Sequence, residues 1–229
     1  MGKCLSGRIK MKYRKILKEI ACHISTRFRI YENPALRFHN IKHTREVVHA
    51  ARLLADYFQL DKEGEFIVLA AAWFHDAGFR NDAEGHEEES MELAEDYLIN
   101  AHVPAGVIRQ ITDCIFSTRL PQHPVTLFAK ILCDADLYYL GTTQCYKNEM
   151  RLLKEYNATY RLNHNNKLAW LKSSLQQLCG HKYYTDYFQQ TLRHNLLKNI
   201  VVIKEKIAKE EQKLQHQSDH AFELDKIAC

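Results

Sequence analysis

Residues that interrupt helices are scarce in this chain. Its 229 residues include only 8 glycines and 4 prolines. Because so few residues can form tight turns, the composition favours long helices over a many-stranded fold. A hydrophobic content of 46% in a chain of this length is enough for a sizeable core, and one domain is the simplest expectation.

Other absences disfavour three classes of protein. The 7 cysteines include no Cys-x-x-Cys pair and are odd in number, which indicates free thiols in a reducing compartment. No apolar run is long enough to span a bilayer, and the start of the chain lacks a secretory hydrophobic region. The net charge of +4 is too small to indicate a nucleic-acid-binding protein. We therefore expect a cytoplasmic protein.

The first six residues carry a lipidation pattern. They match the N-myristoylation motif at Gly2, and Cys4 is available for palmitoylation. One acyl chain binds membranes weakly, but a second chain or the basic residues that follow would strengthen attachment. Since the motif is short, a chance match in a basic terminus is the stronger interpretation, and a lipid anchor with peripheral membrane association is the alternative.

The spacing of apolar residues predicts helices along most of the chain. They cover about residues 8–28, 40–58, 62–76, 86–100, 104–118, 125–140, 144–160, 164–178 and 185–215. The third helix is apolar nearly all round, so we expect it at the centre of a bundle. The last is amphipathic early and charged late, and residues 217–229 are expected to form a loose tail. The predicted fold is all-α.

Histidines and carboxylates coincide with the apolar helices. His75-Asp76 directly follows the run Phe66–Phe74, and Asp134-Ala135-Asp136 lies within another apolar stretch. A carboxylate is costly to bury unless it is paired or binds a metal. We therefore expect a metal site assembled from His43, His75, Asp76 and Asp136. Mixed nitrogen and oxygen ligands suit Mn, Fe, Co, Ni or Zn.

Each of these features also has a simpler interpretation. His39 and His43 share one face of a helix, which is common on solvated surfaces. Asp134 and Asp136 point in different directions on a helix, so at most one is a ligand and the other caps or orients a neighbour. A buried hydrogen-bond network without metal is the alternative for both.

Other charged residues flank these positions. Arg37, Lys42 and Arg80 are candidates for binding a phosphate, with ordinary surface charge as the alternative. Glu87, or its neighbour Glu88, could orient a water molecule, although acidic residues are also favourable in the first turn of a helix. His86 is expected to be a side chain of the helix cap, and contact with the metal or the substrate is the alternative.

In combination, these motifs resemble the HD superfamily of metal-dependent phosphohydrolases. The resemblance is closer to one branch, the predicted metal-dependent HD phosphohydrolases of bacteria, and it covers about residues 30–200. The matching segments are Phe38-His39-Asn40-x-x-His43-Thr44, Trp73-Phe74-His75-Asp76, Glu87-Glu88-Glu89-Ser90, Cys133-Asp134-Ala135-Asp136-Leu137 with Leu140-Gly141, Arg151 to Glu155-Tyr156, and Arg193-His194-Asn195-Leu196. Phe38 stands where the branch usually has Tyr, and His86 where it often has Asn.

The resemblance implies a single HD-type helical bundle with a long C-terminal helix. It places the phosphohydrolase domain over 30–200. From the helical pattern we expect a basic N-terminal helix over 1–29 packing on this core, and a charged helix end and loose tail over 201–229. His43, His75, Asp76 and Asp136 would bind one divalent ion, Mg included, and His39 would protonate the leaving oxygen. Ser117-Thr118-Arg119 lacks the adjacent histidines of two-metal relatives.

The predicted activity is hydrolysis of a phosphate ester by a metal-activated water. The substrate would be a nucleotide or a similar small phosphorylated metabolite, with Asp76, His39 and Glu87 as the catalytic residues. The alternative is a non-catalytic regulatory module that binds a metal and a nucleotide. The charged last helix could be an oligomer contact, although such patterns are usually solvated.

Overall fold

A computed structural model describes residues 2–79, 85–160 and 167–227, with side chains for 12–79, 85–160 and 167–217. Within these ranges the regular elements are all helical. They are α1 (Gly2–Ile30), α2 (Ile41–Tyr57), α3 (Lys62–Phe74), α4 (His86–Asn100), α5 (Ala105–Phe116), α6 (Leu127–Asp136), a 3₁₀ turn (Leu137–Gly141), α7 (Cys145–Thr159), α8 (Lys167–Gly180), α9 (Asp186–Thr191) and α10 (Arg193–Ile227). The prediction of an all-α fold is confirmed.

Contacts group the helices into two compact units. The first contains Met1–Tyr138 and Tyr183–Gln190, and the second contains Tyr139–Lys182 and Thr191–Cys229. All four side chains predicted to bind metal belong to the first unit. The division of the sequence into 1–29, 30–200 and 201–229 remains a prediction.

Helix α3 lies at the centre of the first unit, as its all-round apolar sequence predicts. Helices α1, α2, α4, α5 and α6 all pack against it, and every residue from Phe66 to Ala72 is buried. Burial of so many apolar side chains is its main source of stability, at about 25 cal/mol per Å². Because the helix ends at Phe74, His75 and Asp76 follow directly from the core.

Helix α1 is tied to both ends of α3. Near its middle, the Tyr13 hydroxyl donates a hydrogen bond of 2.8 Å to Glu63, and the Tyr13 ring stacks on Phe66 with 4.3 Å between centroids. Near its end, Arg27 Nε donates to the Ala77 carbonyl at 2.9 Å. The side chain of Cys4 lies outside the described residues, so both interpretations of the lipidation pattern at Gly2 and Cys4 stay untested.

In the second unit, a buried carboxylate joins two helices. Glu149 on α7 accepts hydrogen bonds from Trp170 and Ser174 on α8, and from the hydroxyl of Tyr139. Three donors around one carboxylate satisfy the polar atoms that would otherwise make its burial costly. Helix α10 packs against both α7 and α8.

The C-terminal prediction is wrong in two respects. The predicted single helix over 185–215 is divided into α9 and α10, and α10 continues to Ile227 where a loose tail was expected from residue 217. The segment 193–227 contains no glycine or proline and is rich in lysine, glutamate and glutamine, which favour helix. Among the described residues, no helix combines the length and apolarity needed to cross a membrane.

Candidate metal centre

The predicted ligands lie at the ends of three helices in the first unit. His43 lies in the first turn of α2, whose start is capped by Asn40 accepting a hydrogen bond of 3.0 Å from the Lys42 backbone. His75 follows the last residue of α3, and Asp136 is the last residue of α6. Since α2, α3 and α6 pack against one another, these side chains meet.

The spacing of their atoms fits a single ion. Ligand atoms of His43, His75 and Asp136 all lie within 4.8 Å of one another. Nε2 of His43 is 3.2 Å and Nε2 of His75 is 3.6 Å from Asp136 Oδ1. Asp76 is not in this mutual set, but its Oδ2 is 3.4 Å from Nε2 of His43 and 3.2 Å from Nε2 of His75. Atoms bound about 2.0–2.2 Å from one ion at angles of about 90–109° are roughly 2.8–3.6 Å apart.

Two buried atoms of this cluster are suited to binding a cation. His75 Nδ1 lies 2.9 Å from the Ala72 carbonyl oxygen, which can only accept, so Nδ1 carries a proton and Nε2 faces the cluster. Within the described part of the chain, His75 Nε2 and Asp76 Oδ2 are buried and make no hydrogen bond. Such atoms are costly to bury. A metal ion bound to both would remove that cost.

The charges of the cluster point to the same conclusion. Burial alone would raise the pKa of Asp136, but the hydrogen bond with His43 and the charges of both histidines lower it to about 2. Burial likewise opposes ionisation of Asp76, yet the neighbouring charge of His75 holds its pKa well below the usual value. The pKa of His75 is correspondingly raised, against its burial, by Asp76 and Asp136. Both carboxylates are therefore held ionised by positive charge on the histidine rings, and a bound cation would supply that charge in place of the histidine protons.

The structure distinguishes the two carboxylates of Asp134-Ala135-Asp136. Asp136 joins the histidines, whereas Asp134 points to the segment that precedes α9. There it accepts hydrogen bonds from the backbone of Tyr184 at 2.7 Å and of Thr185 at 2.8 Å, and from the Thr185 hydroxyl at 2.6 Å. Burial raises the pKa of Asp134 to about 6 although these donors act in the opposite direction. Asp134 thus orients a neighbouring segment, as one of the two was expected to do.

His39 lies beside the cluster. Its ring stacks on Phe79 with 4.1 Å between centroids, and it is 5.9 Å from the ring of His43. The side chain is partly exposed, so it remains accessible to a bound molecule while its ring plane is fixed by Phe79.

His86 lies closer to the cluster than the sequence indicated. Its Nε2 is 3.6 Å from Asp76 Oδ1, and its Nδ1 is 3.3 Å from the buried Glu87 carboxylate. The sequence favoured a place for His86 in the helix cap and left contact with metal or substrate as the alternative; the position where the HD branch often has Asn was the signal for that alternative. Of the other glutamates in this turn, Glu88 pairs with Arg119 on the surface.

The three predicted phosphate-binding residues are placed differently. Arg37 is exposed and borders a cavity of about 580 Å³ that also reaches His39. Lys42 is exposed, pairs with Glu46 at 3.4 Å, and is not among the residues that line this cavity. Arg80 lies outside the described residues.

In sequence, neither a protein-family model nor a curated protein matches this chain. In structure, it is similar to a predicted HD superfamily hydrolase from an uncultured Thermotogales bacterium. The chain has an HD-type helical fold. The similarity has a TM-score of 0.55 and covers 84% of this chain and 91% of the other, at 20% identity. It confirms the fold that the motifs predicted.

Proposed function

We propose that this chain is a metal-dependent phosphohydrolase of the HD superfamily. The observation that carries the proposal is the cluster of His43, His75, Asp76 and Asp136, which contains two buried atoms without hydrogen bonds in the described structure. The HD-type fold and the order of the sequence motifs support it.

In this proposal each residue has a distinct task. The four side chains of the cluster hold one divalent ion, Mn, Fe, Co, Ni, Mg or Zn. When bound, such an ion acts as a Lewis acid that offsets the charge of the phosphoryl group and lowers the pKa of a bound water from about 15.7 to as low as ~7. His39 gives a proton to the leaving oxygen, and the buried Glu87 takes one from the attacking water.

The substrate proposed is a small phosphate ester, either a nucleotide or another phosphorylated metabolite. Arg37 supports this choice because it borders the cavity that reaches His39. A guanidinium group binds phosphate through two parallel hydrogen bonds, so it is well suited to this task.

The test is release of phosphate from a panel of nucleotides and phosphomonoesters, with each of the six metals added to chelator-treated protein. We expect phosphate release to depend on added metal. Asp76→Ala should abolish this activity, while the circular dichroism spectrum of the variant should remain that of a helical protein. Asp113→Asn is the matched control, since Asp113 is an exposed carboxylate on α5. Equal activity in Asp76→Ala and wild type would exclude this site.

The same panel tests the regulatory alternative. Tight binding of a nucleotide without any product, under all six metals, would identify a binding module rather than an enzyme. The binding measurement should use calorimetry, because it does not depend on turnover.

A further inference from the structure

Arginines are concentrated around the cavity beside the candidate metal centre. The cavity has a volume of about 580 Å³, within the usual range for small-molecule sites. Among the described residues of the lining, Arg27, Arg29, Arg37 and Arg45 are basic and Glu32 is the single acidic one. A cleft lined mainly by one sign of charge concentrates ligands of the opposite sign. The charge of the lining therefore favours binding of an anion in this cavity.

Three of these arginines have no carboxylate partner in the part of the chain that the structure describes. Among ion pairs between described residues, none involves Arg29, Arg37 or Arg45. On the same bundle, the exposed Arg52 does pair with a carboxylate, that of Glu65 at 3.2 Å. Planar guanidinium groups match the oxygens of phosphate in pairs, so a phosphate is the anion that this lining fits best.

The fourth arginine forms a fixed wall of the cavity. Arg27 donates a hydrogen bond to the Ala77 carbonyl and lies 3.6 Å from a carboxylate oxygen of Glu89. Ala77 lies one residue after Asp76, so this contact connects the cavity directly to the turn that carries two of the proposed metal ligands. The cavity and the metal cluster are thus neighbours through one short stretch of backbone.

His39 and Phe79 are shared between the cavity and the metal centre. Both side chains line the cavity, and the His39 ring lies 5.9 Å from that of His43. In the proposed reaction His39 protonates the leaving oxygen, so the leaving group must lie on the side of His39. That side opens into the cavity that the arginines line.

We propose that this cavity binds a phosphate carried by the leaving group, so that the substrate is a phosphate ester of an alcohol that bears a second phosphate. This inference rests on the proposed function. The water oxygen bonds to phosphorus, and the ester P–O bond breaks with its electron pair on the leaving oxygen. His39 supplies the proton for that oxygen, and Glu87 takes the proton that water loses. The products are inorganic phosphate and a phosphorylated alcohol.

Kinetics with matched substrates test the inference. A nucleoside 3′,5′-bisphosphate and the corresponding 3′-monophosphate differ only in the second phosphate. We expect wild type to prefer the bisphosphate in kcat/KM, and the double variant Arg29→Gln, Arg37→Gln to reduce the ratio of the two kcat/KM values by about tenfold or more. Arg109→Gln, which alters an exposed arginine on α5, should leave the ratio as in wild type. An unchanged ratio in the double variant would overturn the inference while leaving phosphohydrolase activity established.

A second arm measures binding without turnover. Inorganic pyrophosphate is titrated calorimetrically into the full chain in the presence of chelator, so no metal contributes. Binding that the double variant weakens about tenfold, and that Arg109→Gln retains, supports an anion site even if no substrate is hydrolysed. No binding to wild type, or equal binding to the double variant, contradicts it. Pyrophosphate binding that depends on Arg29 and Arg37, combined with an unchanged substrate ratio, would show a site for a free anion and overturn the assignment to the leaving group.

Discussion

The backbone N–H of Gly78 donates a hydrogen bond of 2.9 Å to the hydroxyl of Ser90. This contact holds the turn after α3 against the first turns of α4, and it leaves no space for a side chain. A Cβ on Gly78 would lie 2.6 Å from the carbonyl oxygen of His86 and 2.7 Å from the backbone nitrogen of Ser90. Because these obstructing atoms belong to the backbone, the beginning of α4 would have to move.

We therefore predict that Gly78→Ala destabilises the protein and disturbs the site. Overpacking of this kind reduces the free energy of unfolding by about 1–3 kcal/mol. Unfolding in urea measures the loss, and titration with metal should show weaker binding because Asp76 and His86 lie on either side of the contact.

Gly106→Ala is the control for that substitution. A Cβ on Gly106 meets nothing within 4 Å, and the residue lies near the beginning of α5. In a helix, alanine in place of glycine is neutral or stabilises by up to about 1 kcal/mol. Equal stability of Gly78→Ala and Gly106→Ala would contradict the close packing of α4 on this turn.

The carboxylates of Asp134 and Asp136 should respond differently to amide substitution. Asp134→Asn removes one acceptor oxygen from a group with three hydrogen-bond donors, so we expect a loss of about 1–3 kcal/mol in unfolding free energy. Asp136→Asn removes a charge from the metal cluster, so we expect metal affinity to fall by at least about tenfold.

Melting temperatures with and without metal separate these two effects. An ion that binds only the folded chain raises the melting temperature of the protein. Asp134→Asn should melt lower than wild type but keep the increase on adding metal, whereas Asp136→Asn should lose most of that increase. If Asp134→Asn instead loses the increase on adding metal and Asp136→Asn keeps it, Asp134 is the ligand.

The sequence predicts the position of a helix best when its apolar pattern allows only one place in the fold. Helix α3 is apolar on every side, so only a central position can bury it, and its last residue then determines where His75 and Asp76 lie. The predicted meeting of His43, His75 and Asp136 follows from the same reasoning, since each stands at or near a helix end. These side chains could be named before any contact was known.

Contacts between helices are what the sequence did not predict. His86 comes to Asp76 because Gly78 permits α4 to approach, and nothing in the spacing of the sequence shows that approach. Likewise, the arginine-lined cavity combines the end of α1 with the residues before α2. The division between α9 and α10 also has no signal, because no glycine or proline lies there.

His39 should act on the leaving group, so its effect should depend on the substrate. We predict that His39→Gln lowers kcat by about 10²–10⁴-fold for an alkyl phosphate, where the leaving oxygen needs a proton. For 4-nitrophenyl phosphate, whose leaving group is a stable anion, the loss should be much smaller. Calorimetric metal affinity should stay close to that of wild type, and an equal loss for both substrates would contradict the role of proton donor.

Stability at low pH should depend on His181. Burial lowers the pKa of His181 from 6.5 to about 4, and its Nε2 is buried. Between these two values the unfolded chain binds a proton that the folded chain does not, so the free energy of unfolding must decrease as the pH falls from about 6.5 to about 4. The full contribution is present above pH 6.5 and amounts to at most roughly 3 kcal/mol.

His181→Asn should make this part of the pH profile flatter, because asparagine takes up no proton in either state. Urea unfolding in chelator at several pH values between 4 and 7 gives the slope for each variant. His49→Asn, at an exposed histidine on α2, is the control and should keep the slope of wild type. Since a lowered pKa can only reduce stability on acidification, a slope in His181→Asn that equals or exceeds that of wild type would show that His181 is protonated as readily in the folded chain as in the unfolded one.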